Sequence, residues 1–218
     1  YVSNNKFSYI NNRSIYTPNE RLDQLIETII SIKKHIPNCF IIVIDNSKFI
    51  NSEINKIESN VNIFINLIND KKLNYYTDES IYKAYGELHQ TKILLNCVNE
   101  LINNGIIEIE NLFKISGRYI VNENFNINNY KNNDIIFKKN NNVLDRKYYY
   151  TCFYKISGIQ FQEYYNIINN LNNEIENSNK YNDLDLEVFL PLQFNDFKLI
   201  ENLGITQNIG VWNEINKI

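Results

Sequence analysis

Asn111-Leu112-Phe113-Lys114-Ile115-Ser116-Gly117-Arg118-Tyr119 is the stretch whose reading decides the fold. Phe113 and Ile115 read as a short buried strand, and Ser116-Gly117-Arg118 is where that strand must break. Glycine tolerates backbone angles that other residues avoid and lets a ligand approach the main chain closely. Arg118 follows it with a permanently charged fork suited to phosphate or carboxylate. Such a corner can floor a binding site. A β-turn carrying a surface arginine meets the same spacing, and spacing alone does not choose between them.

Upstream of this stretch, Thr77-Asp78-Glu79-Ser80 opens a predicted long helix, since acidic residues suit a helix N-terminus. Ile81, Tyr85, Leu88, Leu95, Val98 and Leu101 continue it, and Asn103-Asn104-Gly105 closes it. Nearer the N-terminus, Lys6 to Ile10 reads as a strand followed by a polar loop. Thr17-Pro18-Asn19-Glu20 then forms a capping box with proline at the first helical position. Leu22, Leu25, Ile26, Ile29, Ile32 and Ile36 make one apolar stripe, and Pro37-Asn38 stops it. Phe40 to Ile44 is a continuous apolar run, the pattern of a strand covered on both faces. Strand, helix and strand joined by short links predict a βαβ unit and a parallel sheet. Val61 to Ile68 supplies a third strand.

Downstream, Ile135 to Phe137 and Tyr148 to Ile156 read as strands separated by the polar loop Lys138 to Asn142. Phe161 to Leu171 reads as a helix, and Asp185 to Leu190 as a short helix ended by Pro191. Leu199 to Trp212 reads as irregular, with a final strand. The expected class is α/β in a single domain over residues 1–218: a mixed, mostly parallel central sheet flanked by helices.

The chain has 218 residues, 44% of them hydrophobic, enough for one sizeable domain. Its net charge of −3 gives no general attraction to nucleic acid. Asparagine, isoleucine, lysine and tyrosine are used heavily, and all have AT-rich codons. Hydrophobic periodicity interrupts every Asn-rich tract, which favours a folded domain over a low-complexity segment. Cys39, Cys97 and Cys152 are far apart and odd in number, so a disulfide framework or zinc spacing is not expected. No apolar run is long enough to span a membrane and no signal-peptide pattern is present, so the expected location is cytoplasmic. The chain has no methionine and opens at Tyr1, which fits a domain taken from a longer protein.

Six glycines form neither a dinucleotide fingerprint nor a phosphate loop, and no nucleophile elbow is present. His35, near the end of the first helix, reads as a dipole partner, and His89 as a structural residue. Asp45, at the carboxyl end of the second strand, is a candidate ligand contact, because open α/β sheets bind ligands there. An Asp-Asn turn capping the next segment fits equally well. Asp183, Asp185 and Glu187 are the densest acidic cluster after the central strand. On a helix Asp183 and Glu187 would share a face while Asp185 pointed away. A carboxylate there could act as a general base, and a solvated helix start is the plainer reading.

Ile41-Ile42-Val43-Ile44-Asp45-Asn46-Ser47 resembles the strand ending in aspartate that opens the nucleotide site of GT-A fold, family 2-like glycosyltransferases. Phe113 to Tyr119, followed by Asn122-Glu123-Asn124-Phe125, resembles a subgroup of such proteins seen in large DNA viruses and some bacteria. Ser14 to Arg21 and Tyr85-Gly86-Glu87 are similar to the same subgroup. The matches span roughly residues 6 to 190, in consistent order and spacing. For a viral member, the expected location would be the host cytoplasm.

The resemblance implies the GT-A (nucleotide-diphospho-sugar transferase) fold and a nucleotide-sugar donor, a UDP-sugar favoured. It also implies a glycan or glycoconjugate acceptor, and inversion at the anomeric centre is expected because one base is enough for direct displacement. It puts Asn12 and Arg13 near the nucleotide, Asp45 on the base, and Gly86 and Glu87 beside the ribose or sugar. Ser116, Gly117 and Arg118 would lie near the diphosphate, and Asp185 or Glu187 would be the acceptor base. The family's Asp-x-Asp metal motif is replaced here by Ser116-Gly117-Arg118, so Mn²⁺ or Mg²⁺ dependence is left open. Arg118, with Lys114 or Arg13, can take the metal's electrostatic role. A non-catalytic nucleotide-sugar or carbohydrate-binding module, or a nucleotidyltransferase, remains as an alternative.

Overall fold

The computed structural model describes residues 16–79, 83–131, 133–140, 148–177, 186–208 and 215–217. The expected first strand, Asn12, Arg13, Asp183 and Asp185 lie outside the described residues. In chain order the first elements are α1 (Pro18–His35), β1 (Ile42–Asp45), α2 (Asn51–Glu58), β2 (Ile63–Asn66) and α3 (Lys71–Asn74). A π-helical turn (Tyr75–Glu79), α4 (Lys83–Asn103), β3 (Asn111–Ile115) and β4 (Tyr119–Val121) follow. Next come β5 (Ile136–Phe137), β6 (Lys139–Asn140), β7 (Tyr148–Tyr149), β8 (Phe153–Ser157) and α5 (Phe161–Asn177). The chain ends with α6 (Leu186–Phe189), β9 (Lys198–Leu199), β10 (Ile205–Asn208) and β11 (Ile215–Lys217).

These elements are mixed α/β, with small sheets that contain both parallel and antiparallel pairs. Among the described residues, β1–β2 and β5–β9 pair in parallel, while β3–β8, β5–β8, β4–β10, β10–β11 and β6–β7 are antiparallel. A mostly parallel sheet is therefore not what these residues form. The reason is visible at β3, whose partner β8 arrives without a helical crossover directly before it and pairs head to tail.

The chain divides into two compact units: residues 1–83, 117–125 and 204–218, and residues 84–116 and 126–203. In the first unit, Thr17 caps α1 by accepting from the Glu20 amide at 3.3 Å, and Glu20 Oε2 accepts from the Thr17 amide at 2.7 Å. Both halves of the predicted capping box form. The α1 stripe buries Leu22, Leu25, Ile26 and Ile29 with Ile41 and Val43 before and in β1 and Ile57 of α2. Asn38, at φ 60°, turns the chain away from α1 in the left-handed region that asparagine tolerates. In β1 only Val43 is buried, with Ile42 and Ile44 half-buried, so the expected two-sided cover is met at one position. Strand β4 is fixed to α1 by the Val121 amide, which donates to buried Ser31 Oγ at 3.0 Å.

The second unit centres on the sheet β3-β8-β5-β9. Phe113, Tyr130 and Phe153 pack ring to ring on one side of it. Phe137, Tyr149, Tyr154, Tyr164, Phe194 and Phe197 form a second aromatic group. Among the described residues Tyr119, Tyr130, Tyr149, Tyr154 and Tyr164 are buried, while Tyr75 is exposed. Asn172 of α5 donates to the Leu88 carbonyl of α4 at 3.3 Å, tying the two long helices together.

Candidate functional site

The first unit carries a charged corner. Asp45 closes β1 and faces Asn66 of β2 in register, so two parallel strands end side by side with amide and carboxylate side chains. Asp45 Oδ1 accepts from the Ser47 amide at 2.6 Å, and Asn66 Oδ1 accepts from the Ile68 amide at 3.0 Å. Each strand therefore ends in an Asx turn, and the turn reading of Asp45 is realised. Its second carboxylate oxygen takes no hydrogen bond among the described residues. Beyond it, Asn46 donates to Thr77 Oγ1 at 3.0 Å, fixing the loop after β1 to the π-helical turn.

Chain residues 116–118 link β3 to β4, as the sequence requires. Gly117 does not use the left-handed backbone region, so the conformational reason for glycine does not apply. The reason is close packing: a Cβ on Gly117 would lie 3.1 Å from Leu25 Cδ1 of α1. That contact brings Arg118 beside Arg21, one helical turn before Leu25. The Arg21 guanidinium is lowered from its ordinary value, first by partial loss of hydration and then by the like charge of Arg118. Asp45 acts on it in the opposite sense. Arg21, Arg118 and Asp45 thus form one electrostatic group. The sequence reading missed Arg21; its signal was its place one turn before Leu25, a member of the buried stripe.

Ser116, Gly86 and Glu87 belong to the second unit. Gly86 is buried in the first turn of α4, next to half-buried Glu87. The Lys114 ammonium donates to Glu87 Oε1 at 2.5 Å, Thr151 O at 2.6 Å and Ser116 Oγ at 3.1 Å. All three of its donors are used, and it also lies over the Tyr154 ring at 5.8 Å. Tyr154 and Tyr164 share a hydroxyl–hydroxyl hydrogen bond of 2.5 Å. Burial raises both phenols above their ordinary value, and the nearby Glu87 charge adds to the effect. Lys114 is committed here, which removes it as a free partner of Arg118.

Glu187 is exposed on the short helix α6, where its charge is felt by the Tyr150 phenol. Among the described residues no group of three or more His, Cys, Asp or Glu side chains is placed to hold a metal ion. The residues of the corner suit a divalent cation poorly: Arg118 repels it, and Ser116 Oγ already receives the Lys114 ammonium. Among the described residues, no helix is long and apolar enough to cross a membrane. No protein-family model matches this chain, and neither a curated protein nor a solved structure matches it.

Proposed function

We propose that this chain is a GT-A type glycosyltransferase. It takes a nucleotide-diphosphate sugar, a UDP-sugar favoured, and passes the sugar to a hydroxyl of a glycan or glycoconjugate. The observation that carries this reading is the charged corner of the first unit. There a carboxylate ends a parallel strand beside two guanidinium groups. The carboxyl ends of parallel strands are where α/β sheets bind nucleotides. Asp45 accepts hydrogen bonds from the base or ribose with its second oxygen, and Arg118 binds the diphosphate.

The chemistry is a direct displacement. A carboxylate, which the family resemblance assigns to Asp185 or Glu187, takes the proton of the acceptor hydroxyl as its oxygen bonds to the anomeric carbon. The bond from that carbon to the diphosphate breaks, and the diphosphate leaves with the electron pair. Arg118 offsets the charge that develops on it. The anomeric configuration inverts. Incubating the protein with a panel of nucleotide sugars and acceptor glycans should release nucleoside diphosphate with one donor. Asp45→Ala and Arg118→Ala should each reduce that release; full activity in both would overturn the site. A product with the donor's anomeric configuration would overturn the displacement. Donor binding without turnover would leave a binding module, and pyrophosphate release from a nucleoside triphosphate would mark a nucleotidyltransferase.

A further inference from the structure

We infer that Arg21 and Arg118 together form a phosphate-oxyanion site, with Arg21 as the second cation of the corner. Three observations bring the two residues to one corner of the first unit. Gly117 lies within van der Waals reach of Leu25, and Arg21 is one turn N-terminal to Leu25 on the same helix. Strand β4, which begins directly after Arg118, is held against α1 by the hydrogen bond from Val121 to Ser31. The corner therefore cannot drift from the helix without breaking a buried contact.

The carboxylates nearby are otherwise engaged. Glu20 is taken by Thr17 in the capping box, and Asp23 pairs with Lys56 at 3.1 Å. Asp45 spends one oxygen on the Ser47 amide. Neither guanidinium makes an ion pair among the described residues. Arg21 and Arg118 set two positive charges against the one negative charge of Asp45, on side chains that keep solvent access. Guanidinium groups bind phosphate oxygens through paired N–H donors, which fits two forks at one corner better than a single point charge. Lys114, the lysine nearest Arg118 in sequence, is fully occupied by Glu87, Thr151 and Ser116.

Phosphate oxyanion chemistry is shared by free pyrophosphate and by the diphosphate of a nucleotide. The inference rests on the proposed function only for which of these brings the anion. The test is titration of inorganic pyrophosphate, and separately of UDP, into the wild-type protein and into Arg21→Gln, Arg118→Gln, Arg21→Lys and Lys34→Gln, followed by calorimetry. Thermal unfolding of each variant checks that it folds. Arg21→Gln and Arg118→Gln should each weaken pyrophosphate binding about tenfold or more, the loss of a charge-assisted hydrogen bond. Arg21→Lys should recover part of it, and Lys34→Gln, an exposed charge at the far end of α1, should bind as wild type. Equal weakening by Lys34→Gln would reduce the effect to bulk charge and overturn the site, as would wild-type binding in both arginine variants or no binding by the wild type. Loss of pyrophosphate binding in the arginine variants, with no nucleotide sugar turned over by the wild type, would keep the anion site and overturn the glycosyltransferase reading. Turnover by the wild type, with pyrophosphate binding unchanged in both arginine variants, would overturn the anion site and keep the glycosyltransferase reading.

Discussion

Replacing Lys114 with methionine isolates what the buried ammonium does in the second unit. Methionine keeps most of the stem's volume, so little cavity forms and the loss is mainly polar. Three acceptors lose their donor: Glu87 Oε1, Thr151 O and Ser116 Oγ. The Glu87 side chain is 41% exposed and can turn to water, so its share is about 1 kcal/mol or less. The Ser116 hydroxyl rotates freely. Thr151 is only 5% exposed, and its stranded carbonyl costs about 1–3 kcal/mol. The sum is about 1–4 kcal/mol. Glu87→Gln, by contrast, keeps an acceptor oxygen for Lys114 and should cost about 1 kcal/mol at most. Urea unfolding at constant slope measures both. If Lys114→Met costs no more than Glu87→Gln, the Thr151 carbonyl is not what the ammonium protects, and the reasoning fails.

Gly158→Ala would put a Cβ 1.8 Å from the Ile109 carbonyl oxygen, a backbone atom, and should destabilise by about 3 kcal/mol or more, read as a fall in the urea midpoint. Ser31→Ala strands the buried Val121 amide and should cost about 1–3 kcal/mol, with hydrogen exchange at Val121 accelerated relative to the other β4 amides. Tyr130, Tyr154 and Tyr164 are all raised above the ordinary phenol value, burial being the first cause. A raised folded value means that stability is intact below the unfolded phenol's value and drains as pH climbs past it. The urea midpoint should therefore fall above about pH 10, and phenolate absorbance from these three should appear only with unfolding.

The first helix was legible because every local signal agreed. Thr17, Pro18 and Glu20 marked its start, one apolar stripe set its buried face, and Pro37-Asn38 ended it. The break at Ser116-Gly117-Arg118 was legible too, although the reason for glycine was not. A Cβ contact with Leu25 depends on tertiary packing, and the local sequence carries no trace of it. Sheet direction was misread at β3 because a strand's pattern records which faces are buried, not which way its neighbour runs. Asp45 was legible as the end of β1 from its place after an apolar run. Arg21 was missed because a charged residue at the edge of a helix stripe looks like any solvated position. Lys114 was read as facing the layer opposite Phe113, and it does, but its three partners come from residues 87, 116 and 151. Only folding brings those together.

The central claim is that the charged corner binds a nucleotide sugar. Thermal unfolding of the wild-type protein across a panel of nucleotide sugars, with the matching free sugars as controls, tests it most directly. A donor at a hundredfold excess over its dissociation constant adds about 2.7 kcal/mol to the folded state. For a chain of this size that is a rise of about 5–10 °C in Tm. The account predicts such a rise with one nucleotide sugar, none with the free sugars, and its loss in Asp45→Ala. A midpoint unmoved by every nucleotide sugar would contradict it.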